Sequence, residues 1–258
     1  MMNKNKLETL LFYLVFMKAV GEVLKYSYQL KFEQLKTLYE IIKYFHVHHQ
    51  GVYIDELITY QTISKRQLRH HLEHLYHLGW ITKLRDDNDQ RRILFLPSNS
   101  CQDKLNIMFM EVSEMIKGKN FDYLVETTAH YNKLGQVITI FDALYKVRNI
   151  AKESNLSLDE LFLLGKLLSS RQVISLKEIQ AMSYRYLICM NVVINDLYQK
   201  GYLEKYRNSI DERIVNVKFI ESRAYETNKL FIRCYNKFQE EMKYNKICLL
   251  YTSDAADD

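Results

Sequence analysis

The chain has 258 residues, 48 % of them hydrophobic, with only 7 Gly and 1 Pro, a composition that fills the cores of two ordinary domains and holds little that breaks a helix. It excludes a collagen-like, low-complexity or disulfide-scaffold protein, because Cys101, Cys189 and Cys234 show no CxxC and no regular spacing and read as thiols of a reducing cytosol. The formal charge of +5 is a modest argument for a polyanionic partner and does not choose between nucleic acid and an acidic membrane.

The opening MMNKNKLETLLFYLVFMKAV superficially resembles a secretion signal. Its apolar run Leu10–Met17 is short and is bracketed by Glu8 and Lys18, so the expectation is a buried first helix in a cytoplasmic protein rather than a leader or a membrane span.

From there the chain repeats itself. LKFEQLKTLYEIIKYF from Leu30 matches LSLDELFLLGKLL from Leu156 at an offset of 126, and LYHLGWITKLRDDNDQRRILFL from Leu75 matches LYQKGYLEKYRNSIDERIVNVK from Leu197 at an offset of 122. The change of offset falls around His48 to Gly51, where a loop absorbs it. In each copy an apolar helix (Leu7 to Tyr26; Leu134 to Ala151) precedes an amphipathic one with Leu35, Leu38, Ile41, Ile42 and Phe45, or Leu161, Leu164, Leu167 and Leu168, on its inner face. A short apolar stretch follows (Val52 to Ile54; Val173 to Leu176), then a short helix (Asp55 to Tyr60; Lys177 to Met182). A longer helix, Ser64 to Gly79 or Tyr184 to Lys200, runs up to Gly79 or Gly201, each placed as a C′ glycine that takes positive φ. Alternating residues then read as a hairpin, Trp80 to Arg85 returning through Arg91 to Leu96, and Tyr202 to Arg207 returning through Arg213 to Ile220. A closing helix ends each copy.

This order is that of the winged helix-turn-helix. The predicted fold class is mainly α with small β-hairpins, two tandem winged helix-turn-helix units forming a pseudo-dimer. Their expected extents are 1–117 and 118–247, with Lys117 to Asn120 (KGKN) as the junction. The last eleven residues, 248–258 (CLLYTSDAADD), leave the charged helical pattern and read as translated adapter sequence, with native sequence expected to stop near Ile247. Setting aside Asp254, Asp257 and Asp258 leaves 28 acids against 36 bases, a net charge of +8.

In such a unit the helix before the glycine enters the major groove and the hairpin reaches the backbone or minor groove. Leu68, Leu72 and Leu75 form the inner stripe of the first such helix, while Lys65, Arg66, Gln67, Arg69 and His70 supply donors in its first two turns. The second is poorer. It offers Arg185 and Asn191 but is otherwise rich in Tyr186, Leu187, Ile188, Cys189 and Met190, so the first copy is expected to discriminate bases and the second to anchor.

The hairpins carry the sharpest signature: Arg85, Asp89 and Arg91 recur at the same spacing as Arg207, Asp211 and Arg213, with Glu212 between the last two. A carboxylate at a turn accepts backbone N–H bonds and is expected to orient a guanidinium toward a narrow, electronegative groove. The alternative reading of each is a surface ion pair worth at most about 1 kcal/mol.

These residues carry a family resemblance over nearly the whole chain up to Ile247. The sequence resembles the staphylococcal accessory regulator (Sar) family, related to MarR-type regulators, and specifically its double-length members. SIDER (Ser209 to Arg213) is similar to that family's wing signature, and the first copy departs from it as DNDQR, with Gln90 beside Asp89. The resemblance implies sequence-tolerant binding to AT-rich promoters, control of virulence-associated genes, and DNA-contact roles for Arg85, Asp89 and Arg91 and for Arg207, Asp211, Glu212 and Arg213.

Three other readings compete. His70, His74 and His77 share a helical face at a spacing able to bind a transition metal, although no nearby Cys completes a site, so no metal or other cofactor is expected. Cys101 is a weak candidate redox sensor. Motifs for catalysis are absent, neither HExxH, GxSxG nor a glycine-rich phosphate loop occurring, and the serious alternative is a protein-interaction module that keeps the winged fold. The expected partner is double-stranded DNA, without membrane, bound by a monomer acting as a fused pseudo-dimer.

Overall fold

A computed structural model describes residues 4–117, 134–170 and 173–253. Most of the KGKN junction therefore lies outside the described residues, as do the last five residues of the expected tail.

The first copy is built from α1 (Lys4–Tyr26), α2 (Phe32–His48), β1 (Val52–Tyr53), α3 (Ile54–Leu57) with a 3₁₀ turn at Ile58–Tyr60, α4 (Lys65–His77), β2 (Ile81–Arg85), β3 (Ile93–Pro97) and α5 (Cys101–Ile116). The second is built from α6 (Leu134–Glu153), α7 (Leu158–Ser170), β4 (Ile174–Ser175), α8 (Leu176–Tyr186), α9 (Met190–Gln199), β5 (Leu203–Arg207), β6 (Val215–Phe219), a 3₁₀ turn at Glu221–Arg223 and α10 (Ala224–Ser253). The backbone of α10 stays helical past Ile247, where the sequence pattern changes.

The two sheets match rung for rung. Their strand orders are β1-β3-β2 and β4-β6-β5. Val52 faces Phe95 and Arg85 faces Ile93, while Ile174 faces Val217 and Arg207 faces Val215, every position shifted by 122. Gly79 and Gly201 take φ of +68° and +71°, a conformation that a Cβ disfavours. At the turn between the first two helices of each copy, Gln29 and Asn155 are also left-handed, at +53° and +55°.

The cores follow from the apolar spacing. Leu35, Leu38 and Ile41 of α2 meet Leu68, Leu72 and Leu75 of α4 in a core where all six are at most 1 % exposed. In the second copy Leu161, Leu164, Ile194 and Leu197 are buried to the same degree.

Contacts group the chain into two compact units that do not follow the order of the copies. One unit is built on Ala19–Met115 and takes in the start of α6, through Ile138; the other is built on Thr139–Thr252 and takes in Met1–Lys18. The apolar first helix is thus buried as expected, with its first turns in the unit of the second copy. There Leu7 and Leu11 lie so close to Gly165 of α7 that a Cβ added to that glycine would sit 3.2 and 3.0 Å from them. Tyr13 packs on Phe238 at 4.9 Å between ring centroids, and Lys18 Nζ is 2.8 Å from Asp159 Oδ1. In the other unit Tyr39 closes over Gly135 of α6 in the same manner, within 3.0 Å of where a Cβ would be.

Candidate nucleic-acid interface

The turns of the two wings share one hydrogen-bonded frame. In the first, the Asp86 carboxylate accepts the amides of Asn88 (2.8 Å) and Asp89 (3.4 Å), and the Asp89 carboxylate accepts the amide of Arg91 (3.0 Å). In the second, the Asn208 side-chain oxygen accepts the amides of Ile210 (2.8 Å) and Asp211 (3.4 Å), and the Asp211 carboxylate accepts the amide of Arg213 (3.0 Å). These bonds satisfy turn amides that have no partner strand. Asp86 also accepts a hydrogen bond from the Tyr53 hydroxyl, which together with the turn amides holds its carboxyl below the usual range.

Sequence spacing misassigned one part of this device. The guanidinium groups of Arg85 and Arg207 are held by backbone carbonyls across the turn, Gln90 O at 3.1 Å and Glu212 O at 2.7 Å. The carboxylates shape the backbone, and the carbonyls hold the arginines. Because that bond uses main-chain oxygen, Gln90 in place of an acid leaves it intact. Arg85, Arg91, Arg207 and Arg213 are all exposed, as are Asp89, Asp211 and Glu212.

Helix α4 begins in a capping box: Ser64 Oγ accepts the Gln67 amide at 3.2 Å, and Gln67 Oε1 accepts the Ser64 amide at 3.1 Å. This fixes Gln67 at the helix start with its carbonyl already engaged. Lys65 pairs with Asp55 of α3, and the Asp55 carboxyl is drawn below its usual range chiefly by that contact, with Arg92 and Arg69 contributing at longer reach. Arg66, Arg69 and His70 are exposed on the same two turns. At the far end Lys104 of α5 donates to the carbonyls of Leu78 (2.8 Å) and Gly79 (2.9 Å), closing the helix C-terminus with a cation.

The histidine face has a different use from the one its spacing suggests. His74 Nδ1 accepts from Gln34 Nε2 at 2.7 Å, and His71 Nδ1 lies 3.1 Å from Thr37 Oγ1, so both imidazoles bind α4 to α2. Burial, the largest cause, pushes both below the usual histidine value, and the neighbouring His70 and Lys31 act in the same sense. His74 Nδ1 is therefore occupied by Gln34, and no group of His, Cys, Asp or Glu among the described residues is placed to hold a metal ion. Burial also pushes the Cys101 thiol up to about 11 and that of Cys234 to about 12, which makes both poor nucleophiles and removes the basis for Cys101 as a redox sensor.

The second copy departs from the expected helix Tyr184 to Lys200. Helix α8 instead runs on to Tyr186, the chain turns through Leu187 at φ +57°, and α9 starts only at Met190. A leucine in the left-handed region carries no glycine or proline signal, which is why the break was invisible. Arg185 consequently belongs to the last turn of α8, half-buried and 5.9 Å from the Tyr186 ring centroid, rather than to the helix before Gly201. Asn191 does lie in the first turn of α9, where its side-chain oxygen accepts from Gln180 Nε2 of α8 at 2.9 Å. The positions matching Lys65, Arg66 and Gln67 are Leu187, Ile188 and Cys189, all before the helix begins.

Missed by sequence reasoning was the tie beneath α9. Glu160 of α7, only 3 % exposed in its side chain, accepts from Lys200 Nζ at 2.7 and 2.9 Å and also caps its own helix at the Ser157 amide (2.7 Å). It occupies the place of Gln34, which caps α2 at the Lys31 amide (2.9 Å) and holds His74. An acid at that repeat position facing a lysine 40 residues on was the available signal.

The repeat is also matched by a protein family. The family described as transcriptional regulator SarA/Rot matches residues 19–108 and again 145–230, one stretch in each copy. The HTH-type transcriptional regulator SarU of Staphylococcus aureus, in strains NCTC 8325 and COL, is 26 % identical over 225 residues, covering 86 % of this chain and 89 % of SarU. Among solved structures, wild-type MarR from E. coli in its apo form aligns with 51 % of the chain and 87 % of its own, at 20 % identity and a TM-score of 0.31. With the family's profile matched in both winged units and over most of the chain, this protein belongs to the SarA/Rot family of transcriptional regulators as a double-length member.

Proposed function

We propose that this transcription regulator grips AT-rich promoter DNA as a monomer, laying α4 and α9 in major-groove faces and setting its arginine-bearing wings at the minor groove. The carrying observation is the duplicated wing, in which two turns of different sequence hold the same hydrogen-bonded frame and display exposed arginines at the same two positions. A frame repeated at this level of detail supports a shared ligand, and a narrow A-tract minor groove concentrates the negative potential that guanidinium groups seek. Exposed Arg66 and Arg69 on α4 suit bidentate contact with guanine, while α9 offers no comparable pair, so base discrimination rests with the first copy. No helix among the described residues is long and apolar enough to cross a membrane.

A second reading draws on one observation: Val192 and Tyr198 of α9 are 55 % and 51 % exposed, an apolar dressing that suits a protein partner. Salt separates the two. Fluorescence anisotropy on AT-rich and GC-rich duplexes should give affinity for the AT-rich one that falls linearly in log–log form as salt rises, with a slope set by the phosphates neutralised. Binding indifferent to salt, or absent from duplex DNA, would refute the proposal. Sedimentation of the bound species should show one chain per site.

A further inference from the structure

The two wing frames coincide, and their tips do not. Where the first wing has Asn88, the second has Ile210, held by the same 2.8 Å bond from its amide to a side-chain oxygen two residues earlier. Ile210 is 95 % exposed, the greatest exposure of any large hydrophobic residue described. It stands between Arg207, fixed to the Glu212 carbonyl, and Arg213, whose amide is fixed to Asp211. An isoleucine so placed forgoes the burial that stabilises its type elsewhere, and it is carried on a turn whose backbone is already organised.

We propose that Ile210 is an apolar wedge that enters the minor groove between base pairs at a flexible pyrimidine–purine step and kinks the duplex in the second half-site only. The inference rests on the reading that the wings meet DNA. Flanking guanidinium groups draw the tip to the phosphate-lined groove, a branched aliphatic side chain can part a base step, and TA or CA/TG steps unstack with least resistance. Asn88, in the same frame, offers hydrogen bonds instead and leaves its step stacked. The second copy, poor in base-reading donors, would thus select sequence by deformability.

The test uses the full chain and a duplex carrying a TA step under each wing, with 2-aminopurine beside one step or the other and fluorescent labels at the ends for the bend. The wild type should raise 2-aminopurine fluorescence at the second half-site only and shorten the end-to-end distance. Ile210→Asn should abolish both effects while binding stays within about tenfold with an unchanged salt slope, and Asn88→Ile should create a second distorted step. Equal distortion by wild type and Ile210→Asn, or a wild-type complex with no unstacked step, overturns the wedge and leaves DNA binding standing. Loss of all duplex binding by the wild type overturns both. If Ile210→Asn instead removes self-association in sedimentation, the tip is a protein contact and the wedge is wrong.

Discussion

Beneath α4 and α9 the two copies solve the same problem with different chemistry. Gln34 and Glu160 stand at equivalent places, each caps its own helix, and each reaches across to the next; but Gln34 meets a neutral imidazole, His74, whereas Glu160 meets a lysine ammonium. The first tie joins dipolar groups and can be exchanged for other packing at modest cost. The second is a buried carboxylate with one cationic partner beside its own helix cap, so it is intolerant of that cation's loss. The wings, in contrast, differ in sequence and agree in the amide and carbonyl bonds that shape the turn. The exposed turn frames have stayed alike, and the internal supports have diverged.

The largest effect that would break this comparison is at Lys200. Lys200→Met should destabilise the unit of the second copy by about 3 kcal/mol or more, because it strands the Glu160 carboxylate in the core, while His74→Ala in the first copy should cost about 1–2 kcal/mol. Hydrogen exchange, which reads each unit separately, should show the difference; equal losses would mean that the two ties are equivalent.

Next in size is the difference in base reading. Arg66→Ala or Arg69→Ala should lose about 1–3 kcal/mol of discrimination at one base pair, with melting temperature unchanged because both side chains are exposed. Arg213→Ala should weaken binding to all duplexes alike and lower the salt slope by about one.

A smaller effect distinguishes the helix ends. Lys104→Ala should lower the stability of the first copy by about 1 kcal/mol by uncapping α4, and calorimetry of the variant checks it. The position equivalent to Lys104 in the repeat is Glu226, so the corresponding substitution in the second copy should not uncap α9.

Acid should act on the first copy before the second. His71 and His74 titrate below the ordinary histidine value when folded, so the unfolded chain binds more protons as pH drops beneath about 6.5. Their contribution to stability is complete above that pH and is lost progressively as pH falls through the lowered folded values. Lys31, Glu33, His70 and His77 surround the pair, and only Glu33 favours its charging. Replacing both histidines by Gln should flatten the decline of amide protection in α4 between pH 7 and pH 5.

Much of this was legible in the sequence because the signals are local. Gly79 and Gly201 mark left-handed turns, Leu68, Leu72 and Leu75 mark a buried stripe, and the Arg–Asp–Arg spacing marks a turn whose carboxylate lies within reach of the next amides. What could not be read depends on partners elsewhere in the chain. A helical wheel puts His74 beside His70 and His77 without showing that Gln34 claims it. The apolar run Leu10–Met17 of α1 announces burial but not that Leu7 and Leu11 would lie against Gly165. Leu187 ends a helix in a conformation its side chain disfavours, which only the surrounding packing can impose.

In the proposed complex one copy reads bases and the other anchors and deforms. Selection of binding sites from random duplexes by the wild-type chain tests it most directly. The expected result is a bipartite site with high information in the half facing α4, where Arg66→Ala or Arg69→Ala erases specific positions, and low, deformability-type preference in the half facing α9, unchanged in pattern by Arg213→Ala. A symmetric palindrome with equal information in both halves would contradict it.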